Sequence, residues 1–266
     1  MTDSGEHSSC ERTTVELAFG PISVATGGAG RPLLLLHHDY DVSGWGDLHE
    51  TLATKFRVVA PDMPGWGESP RMDWARHPRD LAGAILALVR KLDLHDYVLA
   101  GLGFGGWVAA EMAAFAPRYI DHLTLIGAAG MKPDTSDVLD QILMAHADYV
   151  RAGFADEANF DRLFGDRMGE MRPRWEATRE TVARVSWKPY MYSYELPELL
   201  REAHVPTTLI WGTADRVIPP RCASLYASVL PNATVRLIQG GGHFLDLEHP
   251  AELAAIIAET ASGNVE

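Results

Sequence analysis

The sequence predicts an α/β fold with a mostly parallel, doubly wound sheet, helices on both faces and a helical insertion. Short apolar strand segments alternate with helical segments, which is typical of a parallel sheet covered on both sides. A glycine-rich turn at residues 101–105 joins one predicted strand to one predicted helix. The alternation stops over residues 131–203, where only helical patterns occur, and resumes at Pro206.

The elements of the first half follow one another in a simple order. An opening hairpin over residues 13–18 and 22–25 precedes short, continuously apolar segments, the pattern of strands buried on both faces. These segments lie at residues 33–36, 58–60, 97–101 and 123–127. A helix with one apolar stripe is predicted from His77 to about Leu92, and a second one from Phe104 to Ala116.

The insertion and the termini complete the predicted domain organisation. Helices are predicted at residues 138–152, 155–164 and 174–185, in a segment rich in methionine and aromatic residues. The last helix is predicted over residues 250–260. We expect a disordered tail, an α/β core in two parts and a helical cap, at residues 1–12, 13–130 with 204–266, and 131–203.

Composition and charge restrict the classes of function. The chain has 266 residues and 47% apolar content, enough for the core of one domain. A formal net charge of −13 argues against nucleic acid or an anionic membrane surface as a partner. No apolar run reaches membrane-spanning length, and residues 1–12 lack the layout of a signal peptide. The two cysteines, Cys10 and Cys222, make no disulfide framework, so we expect a cytoplasmic protein.

Three positions follow the order of a nucleophile, an acid and a histidine. Residues 101–105 have the spacing of a Gly-x-nucleophile-x-Gly elbow, but the nucleophile position is Gly103. Asp215 lies in a loop after a predicted strand, and His243 follows a glycine-rich turn. In this arrangement His243 transfers protons near neutral pH and Asp215 orients its ring. Both residues could instead have structural roles. His243 could be a hydrogen-bonded histidine in a turn, and Asp215 could cap the helix near Pro219.

Two further motifs precede the elbow, and together the motifs resemble the α/β-hydrolase superfamily. His37-His38-Asp39 follows an apolar strand, and residues 61–69 read Pro-Asp-Met-Pro-Gly-Trp-Gly-Glu-Ser. The resemblance covers about residues 13–261. Within the superfamily the chain is similar to small capped members that include the meta-cleavage-product hydrolases and related esterases. This closer similarity rests on the cap position and on residues 187–191, Trp-Lys-Pro-Tyr-Met.

The resemblance implies roles for particular residues. His243 and Asp215 would be catalytic, and the N–H groups of Phe104 and Asp39 would form an oxyanion hole. His38 would bind substrate or pack on Trp45. The Asp39 side chain would lie in the pocket or fold back into its own turn. The remaining substrate-binding candidates are aromatic residues of the cap, which could equally be ordinary core: Trp175, Trp187 and Tyr190.

The glycine at the nucleophile position leaves three explanations open. Gly103 could be a laboratory replacement of serine, the native residue of an enzyme that uses the His243–Asp215 dyad directly, or part of a ligand-binding protein without turnover. A glycine there would leave a volume suited to one water. The expected substrate is a small, largely apolar carbonyl compound, cleaved at an ester, lactone, amide or carbon–carbon bond. No metal or other cofactor is implied, and a homodimer is left open.

Overall fold

The computed structural model describes residues 10–40, 44–133 and 138–262, and its centre is an eight-stranded sheet of order β1-β2-β4-β3-β5-β6-β7-β8. β2 runs antiparallel to β1 and to β4, and the other neighbouring strands are parallel. The strands are β1 Cys10–Leu17, β2 Gly20–Gly27, β3 Pro32–Leu36, β4 Arg57–Pro61, β5 Tyr97–Leu102, β6 Ile120–Ile126, β7 Thr207–Gly212 and β8 Ala233–Ile238. The predicted fold class is confirmed.

Helices cover both faces of this sheet. Along β3, Leu34 and Leu36 belong to the core cluster shared with α2 and α3, while Leu33 and Leu35 belong to the cluster shared with α1 and α10. Side chains alternate between the faces of a strand, so a strand covered on both sides needs an unbroken apolar run. The helices are α1 Asp47–Ala53, α2 Pro78–Lys91, α3 Phe104–Phe115, α4 His146–Ala152, α5 Glu157–Phe164, α6 Met168–Ser186, α7 Leu196–Leu200, α8 Arg221–Val229, α9 Leu245–Glu248 and α10 Pro250–Ala261.

The first strand begins earlier than the sequence indicates. β1 starts at Cys10, which pairs with Gly27 of β2, so the prediction of a disordered tail is wrong for residues 10–12. Arg12 explains the difference, because its guanidinium lies 2.8 Å from the buried Asp62 carboxylate. This long-range ion pair holds a polar strand end that local sequence patterns mark as a tail. Residues 1–9 of the predicted tail lie outside the described residues.

The segment between β6 and β7 contains helices α4 to α7. The predicted helix over residues 138–152 begins only at His146. Leu139 N–H donates to Val217 O, and Gln141 N–H donates to the Tyr190 hydroxyl, so tertiary contacts use the backbone groups that a helix would need. Residues 134–137 of the predicted cap lie outside the described residues. In the described part of the chain, no helix has both the length and the apolar character of a membrane span.

Candidate active site

The turn between β5 and α3 has the shape of a nucleophile elbow. β5 is buried along its whole length, and the chain reverses at Gly103, whose φ of +53° lies in the left-handed region. A Cβ on Gly101 would lie 2.5 Å from the carbonyl oxygen of Gly105. A Cβ on Gly105 would collide with the carbonyl oxygen of His37. The flanking glycines are therefore required because helix α3 starts in direct contact with the strands.

His243 and Asp215 form a buried pair beside this elbow. His243 Nδ1 lies 2.8 Å from Asp215 Oδ2, and the residues are 1% and 6% exposed. The other carboxylate oxygen, Oδ1, accepts from the backbone N–H groups of Val217 and Ile218 at 2.8 and 2.9 Å. Asp215 thus contacts the histidine and also closes its own turn, but it does not cap the next helix, because α8 follows Pro220 and has no side-chain cap hydrogen bond. The His243 N–H donates to Gly153 O of the insertion at 2.7 Å.

The Asp215 carboxylate determines the electrostatics of His243. Burial acts to lower the pKa of His243, but the charge and hydrogen bond of Asp215 outweigh it and raise the pKa above the ordinary 6.5. A carboxylate can only accept, so the neutral ring carries its proton on Nδ1 and a lone pair on Nε2. An ideal Cβ on Gly103 would lie 2.9 Å from this Nε2. The available lone pair therefore faces the nucleophile position.

His38 enters the same space from the loop after β3. The residue is 2% exposed, and its Nε2 lies 3.0 Å from Asp246 Oδ1. Its Nδ1 has no hydrogen-bond partner among the described residues, and an ideal Cβ on Gly103 would lie 2.5 Å from it. The space that a glycine was expected to leave for a water is therefore partly filled by an imidazole. The sequence missed Asp246, because nothing local links it to His38.

The rings around His38 also differ from the expected ones. The His38 ring packs on His243 and Phe244, each with a centroid distance of 5.0 Å, whereas the Trp45 ring packs on His49. His38 therefore belongs to the site and is not a loop residue stacked on Trp45. A cavity of about 230 Å³ lies beside His38 and Asp246, and its lining also includes Tyr40, Trp45 and His49.

The Asp39 side chain joins the core to the insertion. It is fully buried, and its Oδ2 accepts from Gln141 Nε2 at 2.5 Å and from the Tyr149 hydroxyl at 2.9 Å. Its Oδ1 has no hydrogen-bond partner among the described residues, and neither has any ring nitrogen of the buried His146. The carboxylate thus contacts the insertion, and residues 41–43 of its own turn lie outside the described residues. The sequence did not identify Gln141 and Tyr149, because the segment over residues 138–152, which is predicted as a helix, carries no site motif.

The predicted oxyanion hole involves two loops that the sheet brings together. Phe104 begins α3, so its N–H has no acceptor within the helix and lies at the positive end of the helix dipole. β3 pairs with β5 through Leu36 and Gly101, which places the loop of Asp39 next to the elbow. The Asp39 carbonyl accepts from Trp66 Nε1 at 3.0 Å, which fixes this loop. An oxyanion site at the Phe104 and Asp39 N–H groups stays a prediction.

His37 shows how a structural histidine is held in this loop. Its Nδ1–H donates to His38 O at 2.6 Å, and its Nε2 accepts from the Met63 N–H at 2.9 Å. Burial lowers the pKa of His37 to about 4, so the ring is neutral near neutral pH. Both ring nitrogens are used, which distinguishes His37 from His38 and His243.

The three cap aromatics occupy different environments. Trp175 is fully buried against Phe160, Phe164 and His146 within the insertion. Trp187 is 51% exposed and packs on Tyr190, which does not fit the predicted role as part of a buried pocket wall. The Tyr190 hydroxyl donates to Leu139 O and accepts from the Gln141 N–H, so it fixes the segment before α4.

A strand-to-helix turn at Gly103 with a buried histidine–aspartate pair beside it is an arrangement typical of the α/β-hydrolase fold. In the described residues, no group of three or more histidine, cysteine, aspartate or glutamate side chains could hold a metal ion. The chain belongs to the Alpha/beta hydrolase family, whose family model matches residues 33–256.

Curated relatives and solved structures agree with this family. The chain is 27% identical over 248 residues to a 2-hydroxymuconate semialdehyde hydrolase of Pseudomonas sp. (strain CF600), covering 87% of each chain. An uncharacterized protein of Mycobacterium tuberculosis is 29% identical over 259 residues, covering 86% of this chain and 75% of the relative. A meta-cleavage product hydrolase structure from Pseudomonas fluorescens IP01 superposes with a TM-score of 0.82 at 20% identity, covering 95% of this chain and 98% of that one. The structure of the naproxen esterase of Bacillus subtilis superposes with a TM-score of 0.75 at 19% identity, covering 93% of this chain and 90% of that one.

Proposed function

We propose that this hydrolase cleaves a small, largely apolar carbonyl compound with the His243–Asp215 dyad as its base and without a serine nucleophile. The observation that carries the proposal is the orientation of His243, whose Nε2 faces Gly103 while its Nδ1 is hydrogen-bonded to Asp215 at 2.8 Å. A neutral imidazole oriented by a carboxylate is a general base suited to neutral pH. The candidate reactions are the hydrolysis of an ester, a lactone, an amide or a carbon–carbon bond.

In the proposed mechanism a water replaces the serine hydroxyl. The water oxygen attacks the substrate carbonyl carbon while His243 Nε2 accepts one of its protons, and Asp215 stabilises the resulting imidazolium. The Phe104 and Asp39 N–H groups stabilise the negative charge that develops on the carbonyl oxygen. His243 then returns the proton to the leaving atom as the bond to the carbonyl carbon breaks.

We also propose that Gly103 is the native residue. A Cβ at this position would lie 2.5 Å from the buried His38 Nδ1, closer than real Cβ contacts come. A laboratory replacement of serine would leave the rest of the site shaped around a hydroxymethyl group. The His38 ring instead takes up that space, and its Nε2 is held by Asp246. The fit between His38 and Gly103 supports an enzyme that works without a nucleophilic serine.

The insertion is proposed to be the cap that closes over the substrate. It contacts the core loops at the site itself, since Gly153 O accepts from the His243 N–H and Tyr149 donates to Asp39. Phe154 packs edge-on against Phe244, next to the dyad, with a centroid distance of 5.3 Å. Closure by such a segment excludes water other than the reacting one and favours a small ligand.

The buried Asp39 carboxylate restricts the substrate further. Its Oδ1, which has no hydrogen-bond partner among the described residues, offers an acceptor, and a second carboxylate beside it would be repelled in a buried environment. The proposed substrate therefore presents a hydrogen-bond donor, and no carboxylate, towards Asp39.

A non-hydrolytic reaction is the second candidate, because the His38 ring reduces the room for a water at Gly103. In this case His243 removes a proton from the substrate itself, as in a lyase or isomerase. A binding protein without turnover is the third outcome. The cytoplasmic location and the homodimer stay predictions of the sequence.

The test is turnover of a panel of aryl esters, lactones, amides and carbon–carbon substrates in heavy-oxygen water. Hydrolysis places the heavy oxygen in the acid product, whereas a lyase or isomerase reaction does not. His243→Gln should abolish turnover. His95→Gln is the matched control, because the exposed His95 lies 2.9 Å from Asp93 in a surface histidine–aspartate pair. Tight binding with no turnover of any compound would identify a binding protein.

A further inference from the structure

We propose that His38 and Asp246 form a second histidine–carboxylate pair that holds the attacking water jointly with His243. His38 is then a positioning residue, and the water that it holds takes the role of the serine hydroxyl. This inference rests on the proposed hydrolytic function and identifies the residues that position the attacking water.

Two imidazole nitrogens from different loops converge on one point. The ideal Cβ of Gly103 lies 2.5 Å from His38 Nδ1 and 2.9 Å from His243 Nε2. The two rings approach with a centroid distance of 5.0 Å and an interplanar angle of 58°. The first atom of any side chain at position 103 would meet both nitrogens. The two histidines therefore face the place from which a nucleophile would act.

Both converging nitrogens carry lone pairs. Asp246 and Asp215 can only accept, so His38 Nε2 and His243 Nδ1 hold the ring protons of the neutral imidazoles. His38 Nδ1 and His243 Nε2 are then acceptors. His38 Nδ1 is buried with no partner among the described residues, and such a group in a folded protein is normally satisfied by a donor.

A water molecule matches two acceptors, because it has two O–H donors and keeps its lone pairs for the carbonyl carbon. One O–H donates to His243 Nε2, which takes that proton during the attack. The other O–H donates to His38 Nδ1, and this proton stays on the oxygen and leaves with the acid product. Atoms and charge balance without a change at His38, whose role is to orient the water.

A comparison with the neighbouring His37 supports a functional role for the Nδ1 atom of His38. Both nitrogens of His37 are bonded to backbone groups, whereas His38 is held through only one. The His38–Asp246 pair also borders the cavity of about 230 Å³, although neither Gly103 nor His243 is among its lining residues.

The experiment compares wild type, His38→Ala, Asp246→Asn and the control His95→Ala on the best substrate of the panel. We expect His38→Ala to lower kcat by roughly 10- to 100-fold with little change in KM, because the water is then no longer oriented for attack. Added imidazole should restore part of the kcat of His38→Ala. Asp246→Asn should lower kcat less, because an amide oxygen can still accept from Nε2. Thermal melts exclude loss of fold.

Two results would overturn the inference while leaving the proposed function standing. These are unchanged kcat in His38→Ala, or a loss of kcat that comes only from unfolding. If wild type turns over no compound, the proposed function fails instead. A high-resolution crystal structure then tests the pair alone, since the inference requires a water within hydrogen-bond distance of both His38 Nδ1 and His243 Nε2, and its absence would disprove the inference.

Discussion

The two sides of Gly103 differ in how closely they follow the family pattern. On one side, the loops after β7 and β8 supply Asp215 and His243 in the expected order and geometry. On the other side, the loop after β3 has His38 and Asp39 where the family has a glycine and a small residue. The missing side chain at Gly103 and the added ring at His38 occupy the same space. The glycine at position 103 and the histidine at position 38 are far apart in the sequence, but in the structure they depend on each other.

The same comparison separates two kinds of histidine–carboxylate pair. His243–Asp215 is fully enclosed, and the carboxylate raises the pKa of the imidazole. In the His38–Asp246 pair the carboxylate is partly open to solvent, with 15% of its side chain exposed. This difference is consistent with the proposed roles, in which the first pair takes a proton and the second holds a hydrogen bond.

The largest effect should come from breaking the first pair. We expect His243→Gln to lower kcat/KM by at least ~1,000-fold, because the general base is removed. Asp215→Asn should cost somewhat less than that, since it disturbs the tautomer and orientation of a base that is still present. Steady-state kinetics at neutral pH measure both. Equal, small losses in these variants and in His38→Ala would erase the difference between the two pairs.

The next prediction restores a serine at the elbow. Gly103→Ser alone should lower stability and give no esterase, because its Cβ would lie 2.5 Å from His38 Nδ1. The double variant His38→Gly with Gly103→Ser should hydrolyse small aryl esters and be labelled by a fluorophosphonate, since His243, Asp215 and the elbow are already in place. Labelling is followed by mass spectrometry. Equal labelling of the single and double variants would show that the His38 ring does not block position 103.

A third prediction concerns the substrate side of the altered loop. Asp39→Asn removes a buried negative charge while keeping an acceptor for Gln141 and Tyr149. We expect kcat/KM for a carboxylate-bearing ester to rise relative to its uncharged analogue, by roughly tenfold, which corresponds to about 1.4 kcal/mol. Paired assays of the two esters give the ratio directly. An unchanged ratio would mean that substrate does not reach Asp39.

The smallest effect is a displacement of the pH profile. The pKa of His243 is raised, so activity that needs its neutral form should rise with pH through a value above 6.5. Asp215→Asn removes the charge that opposes burial, and the acid limb of the profile should then move to lower pH. The measurement is kcat/KM against pH for both proteins. A limb that moves to higher pH would assign the titration to another group.

Much of the site is visible in the sequence because it depends on local rules. A φ of +53° at Gly103 and the close approach at Gly101 need glycine, and the order of Gly103, Asp215 and His243 marks the elbow and its partners. The apolar runs of β3 and β5 likewise follow from burial on both faces. These features recur wherever the local pattern recurs, so the sequence alone determined the fold class and the dyad.

Only the tertiary structure decided what faces the dyad. Asp246 reaches His38 and Gln141 reaches Asp39 across large sequence separations, and the partner of Arg12 likewise decides where β1 begins. No periodicity or turn rule encodes these pairs, because they depend on where the chain path brings two loops together. The sequence alone shows that the nucleophile position of the elbow is a glycine and has no side chain. That an imidazole takes its place follows from the packing of the loop after β3 against the start of α3, which local patterns do not specify.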